Sequence, residues 1–342
     1  VVRAEDYLLQ LIRKGFRVAI AEQVEDPAEA RKRGAKSVVK REVVRLVTPG
    51  TLTEDSLLEA RRHNFLAAFA EVRGEGALAW ADISTGALRV TPCPLVRLGP
   101  ELARLGPREL LVADGGGVPP ALAEEAGAAL TPLARSAFDS TAAGRRLCAL
   151  FEVATLDAFG AFGRAELAAL GGLVEYLDLT QRGNLPLLRP PVREAEGAAV
   201  EIDAATRRSL ELVQGPGGAR AGSLLATVDT TVTAAGARLL ERRLSAPARD
   251  PAEIGERQDA VAFLLDEGRL RADLRAALRG VPDIDRALSR LGLGRGGPRD
   301  LAAIRDGLAR AATIAEALPE AAPTRLRAAA GFLTGHEALH GL

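Results

Sequence analysis

The sequence predicts a multidomain protein in which two α/β segments precede an all-α segment. Up to Asp139, short apolar runs typical of strands alternate with runs whose apolar residues recur at helical spacing. After the stretch Asn184–Pro191, whose prolines mark a domain boundary, the apolar patterns have helical spacing. With 342 residues, 47% of them hydrophobic, the chain can bury two or three cores.

The first α/β segment begins with an amphipathic helix over residues 4–14. Gly15 ends this helix, and the run RVAIA that follows predicts a short strand. The run REVVRLV predicts a second strand, which the Pro49-Gly50 turn ends. We place this small mixed α/β domain at residues 1–73.

The second segment, residues 74–188, opens on a predicted hairpin. The run ALAWADISTGALRV has two strand-like halves around a turn at Ser84-Thr85-Gly86. A helix near Leu95–Leu105, the strand ELLVAD, a helix at 120–126 and a strand near Ala129 follow in that order. Such alternation implies a sheet with helices packed on its faces.

The third segment, residues 189–342, is predicted to be a helical bundle. Asp203 is a favourable N-cap for its first helix. Thr206, Leu210 and Val213 follow at helical spacing, so we expect a short helix that buries this stripe. A Gly-Pro-Gly-Gly run then ends the helix.

A later helix of this bundle is predicted to run from the N-cap Thr233 to Leu244. Leu240 and Leu244 mark its buried face, whereas its charged residues, Arg238 and Arg242 among them, are expected to point elsewhere. We expect a structural role, as a hub of the bundle, for four residues. These hub residues are Asp203, Leu210, Leu240 and Leu244.

The next helix is predicted to start at Asp250, with Pro251 in its first position and Glu253 as capping-box partner. Its apolar stripe contains Val261 and Leu265. Further repeats of leucine, isoleucine and alanine at helical spacing predict additional helices up to about residue 315.

Charge is distributed unevenly, although 45 basic and 45 acidic residues leave no net charge. All four lysines lie within the first forty residues, and seven basic residues between Ala28 and Arg45 face only two glutamates. Such a run is either a solvated surface loop or a patch that faces DNA phosphates. Under the second interpretation, the candidate DNA-binding residues are Lys40, Arg41 and Arg45.

Neither a catalytic residue nor a metal site is predicted. His336, Glu337 and His340 spell HExxH, which on a helix presents two imidazoles to zinc. A catalytic zinc needs a third protein ligand, however, and no residue nearby is placed to supply it. Cys93 and Cys148 are too few for a CxxC metal site or a disulfide framework.

The sequence also predicts where the protein is located and whether the chain is complete. No apolar run approaches the roughly 20 residues needed to span a membrane, and no signal peptide opens the chain, so we expect a cytoplasmic protein. The chain starts at Val1 and contains no methionine, so we expect a truncated chain.

Three blocks of sequence resemble the bacterial MutS family of DNA mismatch-repair proteins, in that family's order. FRVAIAEQVEDP and VVKREVVRLVTPGTLTED, within Phe16–Asp55, resemble the end of the mismatch-binding domain. ADISTGAL, at Ala81–Leu88, resembles the opening of the connector domain. DAATRRSLEL and GSLLATVDTTVTAAGARLLERRLSAPARD resemble the start of the central core, or lever, domain.

The resemblance implies a fold and a role for these segments. The connector would have a ribonuclease H-like fold, but Asp82 is the only strand carboxylate obviously placed in it, so we expect no two-metal nuclease. The family's mismatch-reading Phe-x-Glu motif would lie before Val1. Phe69-Ala70-Glu71 spells the same motif, but we expect a chance match, because it lies in a predicted apolar strand and follows the matched TPGTLTED block. The lever would transmit nucleotide state from an ATPase domain, and that domain would lie beyond Leu342 because no GxxxxGK[ST] loop occurs in the chain.

For the full-length family, the resemblance implies mismatched double-stranded DNA as ligand, ATP and Mg²⁺ as cofactors, a homodimer, and a MutL-type partner that contacts the connector. This chain alone would hold no cofactor and would not be an enzyme. Two alternatives stay open: a MutS-family paralogue that does not read mismatches, and a zinc hydrolase that uses His336, Glu337 and His340. The residues that precede Val1 would distinguish the first alternative, and metal analysis the second.

Overall fold

The protein divides into two compact units in the computed structural model, which describes residues 4–34, 37–336 and 339. The first unit takes the described residues up to Leu58, together with Asn64–Leu98 and Gly106–Arg193. The second takes Glu59–His63, Gly99–Leu105 and the described residues from Glu194 onward. The described strands all belong to the first unit. The predicted change from α/β to helical structure along the chain is therefore confirmed.

The beginning of the first unit contains a two-stranded antiparallel sheet next to a helix. Its elements are α1 (Ala4–Arg13), β1 (Val18–Gln23), α2 (Pro27–Lys32) and β2 (Arg41–Val47). Leu8 and Ile12 lie four residues apart on one face of α1, and they are buried together with Val47 and Leu52. This small core confirms the predicted helix and both predicted strands.

A six-stranded mixed sheet forms the rest of the first unit. Its strands are β3 (Leu66–Val72), β4 (Glu75–Asp82), β5 (Ala87–Pro92), β6 (Glu109–Ala113), β7 (Ala129–Leu133) and β8 (Val192–Arg193). They lie in the order β7-β6-β3-β4-β5-β8. The strands β3, β4 and β5 form an antiparallel meander, and the other pairings are parallel. The hairpin predicted around Ser84 is β4 and β5.

The domain boundary expected at residue 73 falls inside this sheet. β3 pairs along its whole length with β4 and is parallel to β6, so residues 66–72 belong with the sheet rather than with the domain that precedes it. The sequence does not reveal this, because an apolar strand carries no sign of which sheet it joins. The sheet therefore begins before the expected boundary.

Helices alternate with these strands along the chain, as predicted. They are α3 (Leu95–Leu105), α4 (Pro120–Glu125), α5 (Ser140–Leu150) and α6 (Arg164–Gln181). Helix α6 packs on β3 and β4, α5 packs on α6, and α4 packs on β7. Helix α6 supplies the centre of the core through Leu170, Leu173 and Leu177. Its Gly171 and Gly172 allow close packing, because a Cβ at either position would collide with Ala143 or with the ring of Phe138.

The second unit is built largely of helices. Those after residue 200 are α7 (Ala204–Ser209), α8 (Leu224–Val228), α9 (Ala234–Ser245), α10 (Pro251–Asp266), α11 (Gly268–Arg279), α12 (Ile284–Gly292), α13 (Pro298–Glu316) and α14 (Thr324–Gly331). Helix α12 packs on α13, and α10 packs on α11 and α14. Side-chain caps begin α7, α9 and α10 at Asp203, Thr233 and Asp250, as predicted.

The stripe predicted for α10 is not a buried face. Val261 and Leu265 are exposed, and Ala260 is the buried residue of the helix. Glu253 does not form the predicted capping box, because its carboxylate pairs with Arg257 one turn later. No helix in the described part of the chain is long and apolar enough to cross a membrane.

Candidate nucleic-acid interface and helical hub

Two of the candidate DNA-binding residues lie at the exposed start of β2. Lys40 precedes the strand and Arg41 is its first residue. Lys40 Nζ lies 2.5 Å from Glu42 Oε1. Hydrogen bonding and charge in this pair raise the pKa of Lys40 and lower the pKa of Glu42. Arg41 has no carboxylate partner among the described residues, so its charge is not neutralised locally.

Arg45 occupies a different environment further along β2. Its side chain is 13% exposed and forms an ion pair with Glu54. Burial alone would raise the pKa of Glu54, but the charge and the hydrogen bond of Arg45 outweigh it and lower that pKa. Moving one partner away from a buried pair is costly, so Arg45 is committed to Glu54. Lys40 and Arg41 are therefore exposed, with Lys40 paired to Glu42, whereas Arg45 is largely buried and paired to Glu54.

Two further residues of the basic run are paired with glutamates. Lys32 pairs with Glu29 one turn earlier on α2, and Arg33 Nη2 lies 2.6 Å from Glu25 Oε2. Lys36 lies outside the described residues. Pairs of this exposed kind are typical of a solvated surface, which was the first interpretation of the run.

The first hub residues behave differently from each other. Asp203 accepts hydrogen bonds from the backbone N–H of Thr206 at 2.9 Å and from its hydroxyl at 2.6 Å. These bonds lower the pKa of Asp203. Leu210, however, is 54% exposed, so its predicted burial is wrong. The helix ends at Ser209 and the backbone turns at Glu211, which has a φ of 49°, so the buried residue is Leu212.

Helix α9 buries a face next to the predicted one. Leu240 and Leu244 are half-buried, whereas Ala237, Arg238 and Ser245 are buried. The expectation that Arg238 points away from the core is wrong, because Asp283 pairs with its guanidinium and compensates the buried charge. Sequence reasoning missed this partner because it lies on another helix.

A second missed group is Glu109, at the start of β6, which is fully buried. Its Oε1 accepts hydrogen bonds from the Thr131 hydroxyl at 2.6 Å and the Tyr176 hydroxyl at 2.7 Å. Its Oε2 accepts from the Thr48 hydroxyl at 2.6 Å and from Gly50 N–H at 3.1 Å. Burial and the Glu109 charge raise the pKa of Tyr176, so the phenol stays protonated and donates.

The described residues offer no catalytic metal centre. Asp82 is buried and accepts hydrogen bonds from Ser84 Oγ at 2.6 Å and Ser84 N–H at 3.1 Å. Within 4–34, 37–336 and 339, no three His, Cys, Asp or Glu side chains are grouped to hold a metal ion. Glu337 and His340 of the HExxH pattern lie outside the described residues, and His336 is exposed.

Comparison with known proteins identifies relatives along nearly the whole chain. Three family models match: MutS domain I over residues 1–56, MutS domain II over residues 64–189 and MutS domain III over residues 205–338. The protein named DNA mismatch repair protein MutS in Cereibacter sphaeroides (strain ATCC 17025) is 70% identical over 336 residues, which are 98% of this chain and 38% of that protein. The proteins of the same name in Paracoccus denitrificans and Ruegeria pomeroyi are 69% identical over 336 residues and 60% identical over 343 residues. Those matches cover 98% and 99% of this chain, and 38% and 39% of the relatives. The chain thus spans about two fifths of the length of these relatives.

Proposed function

Because the chain belongs to the MutS family of DNA mismatch-repair proteins, we propose that it serves mismatch repair as a mechanical relay between a DNA contact and a helical lever. The observation that carries this proposal is that models of three family domains match the chain in order. The helical second unit supports it, since packed helices shift as units. The relatives are named as mismatch-repair proteins, which gives no support to a paralogue with another role or to a zinc hydrolase.

For the longer proteins of this family, we extend the proposal to the partners that the resemblance implies. The ligand is mismatched double-stranded DNA, the cofactors are ATP and Mg²⁺, and the assembly is a homodimer. A MutL-type partner contacts the six-stranded sheet domain. The work is done in the bacterial cytoplasm, on DNA.

We propose that this chain itself is not an enzyme. It contains no GxxxxGK[ST] loop, the element that cradles nucleotide phosphates, and no lysine follows Lys40. Titration of the chain with ATP and Mg²⁺ in a calorimeter should therefore give no binding heat. Magnesium-dependent binding at micromolar ATP would contradict this assignment.

The DNA contact is proposed to include Lys40 and Arg41. Each phosphate neutralised by a protein cation releases counterions, so the slope of log affinity against log salt falls by about one for each such cation that a substitution removes. Arg41→Ala should lower this slope by about one. The affinity should be weak and should not distinguish a mismatched duplex from a matched one, since apolar wedges rather than cations kink the base stack.

Fluorescence anisotropy of a labelled duplex, titrated at several salt concentrations, measures this slope. Arg269→Ala is the matched control, because that side chain is 97% exposed in the helical unit. The control should leave the slope unchanged. An unchanged slope in an Arg41→Ala, Lys40→Ala double variant would remove β2 from the DNA interface without touching the family assignment.

A further inference from the structure

The segment Glu59–His63, which we call the linker, packs as part of the helical unit. Its neighbours in the chain, Leu58 and Asn64, belong to the first unit. The linker also falls between the ranges matched by MutS domain I and MutS domain II. A five-residue connection held only at its ends would be free to flex. The contacts of the linker show that it is held along its length.

Two arginines of the helical unit bind the backbone of the linker. Arg286 Nη2 donates to the carbonyl oxygens of Glu59 at 3.1 Å and Arg62 at 2.9 Å. Arg238 Nη1 donates to the carbonyl oxygen of Ala60 at 2.9 Å. These bonds go to main-chain atoms, so the grip does not depend on which side chains the linker carries.

A single carboxylate orients both arginines. Asp283, the N-cap of α12, accepts two hydrogen bonds from Arg238, at 2.6 and 3.0 Å. Arg286 Nε lies 3.8 Å from the same carboxylate. Arg238 and Arg286 are 2% and 3% exposed. Buried guanidinium groups are stable only when paired and hydrogen-bonded, so the linker carbonyls supply acceptors that both need. Arg286 Nε itself is buried without a hydrogen-bond partner among the described residues.

Linker side chains add further attachment points. Arg61 Nη2 donates to Asp229 Oδ1 at 2.7 Å and to the hydroxyl of Thr231 at 2.6 Å. Arg62 Nε lies 3.4 Å from Glu241 on α9. The linker is thus attached to α9, to α12 and to the segment between α8 and α9.

We propose that Arg238, Asp283 and Arg286 form a clamp that makes the linker a rigid relay segment. Movements of α9 and α12 would then pass through the linker backbone to the chain on either side of it, where a loose connection would absorb them. The contacts of the clamp do not involve DNA. A negative result for the clamp would therefore leave the proposed DNA contact untouched.

Hydrogen exchange of the whole chain, followed by mass spectrometry, tests the clamp. The Arg62 N–H donates to Glu59 O, the same oxygen that accepts from Arg286, so its exchange reports directly on the gripped turn. In R286Q and in R238Q, the rise in exchange at residues 59–63 should exceed the rise in α9 and α12 by at least about tenfold. The matched control is R279Q, an exposed arginine at the end of α11, which should leave linker exchange unchanged.

An equal rise across α9, α12 and the linker would overturn the proposal, because the arginines would then be ordinary core residues. Unchanged linker exchange would overturn it as well.

Discussion

Replacing Arg238 with alanine is expected to destabilise the helical unit more than replacing either leucine of the same helix. The guanidinium is 2% exposed and gives three hydrogen bonds of 2.6 to 3.0 Å, two of them to Asp283. Breaking a buried ion pair from one side costs about 3–5 kcal/mol. Asp283 is 21% exposed and keeps Arg286 nearby, so we expect about 2–4 kcal/mol.

Two other residues of α9 provide a comparison for the stability lost in Arg238→Ala. Leu240 is half-buried, so Leu240→Ala should cost about 1–2 kcal/mol, below the usual range for a fully buried leucine. Arg242 is exposed, and Arg242→Ala should stay within about 0.5 kcal/mol. The expected order of destabilisation is therefore Arg238, then Leu240, then Arg242.

Urea unfolding followed by far-ultraviolet circular dichroism measures these differences. A double-mutant cycle with Asp283→Ala separates the pair from the other effects of each change. The double variant should lose less than the sum of the two single variants, because neither partner is then left buried without its counterpart. A Leu240→Ala change that costs more than Arg238→Ala, or a cycle with no coupling, would refute the assignment of the buried face.

Two further predictions concern acid stability and helix packing. Burial opposes ionisation of Asp229, but hydrogen bonds from groups that include Arg61 outweigh it and lower the pKa from 3.8 to about 2. The ionised carboxylate therefore stabilises the fold fully above pH 3.8, and this stabilisation is lost as the pH falls through about 2. The difference in urea midpoint between the wild type and Asp229→Asn should shrink across this window, and a constant difference would contradict the prediction. Gly172→Ala should cost about 1–3 kcal/mol because the new methyl group meets the ring of Phe138, whereas Gly144→Ala, in open space on α5, should be neutral or stabilising by up to about 1 kcal/mol. Tryptophan fluorescence during urea unfolding measures the stability of the two glycine variants. Equal effects of the two substitutions would refute the close approach of Gly172 to Phe138.

Helix starts could be predicted from the sequence because a cap is a local interaction. Asp203, Thr233 and Asp250 each bind a backbone N–H two or three residues later, within the stretch where the signal is read. The hairpin around Ser84 is local in the same sense. The order of α/β and helical segments followed from such signals together with apolar periodicity.

The wrong placement of Arg238 has a different cause, which is a partner distant in the chain. Arg238 is buried because Asp283, 45 residues away, neutralises it. Leu210 is exposed because the helix ends before it, although apolar periodicity continues past that point. Spacing within one helix contains no information about a carboxylate on another, so charged residues were placed on the solvent side by default.

The buried carboxylate of Glu109 has a consequence for recombining relatives of this protein. Two of its donors, Thr48 and Gly50, lie in the range matched by MutS domain I, and the other two, Thr131 and Tyr176, lie in the range matched by MutS domain II. A chimera joined between residues 56 and 64 would take the acceptor from one parent and half of its donors from the other. Such a chimera keeps the first unit intact only when both parents carry the same hydroxyl at position 48 and the same acid at position 109. A junction between the ranges matched by MutS domain I and MutS domain II would therefore divide one hydrogen-bond network between the two parents.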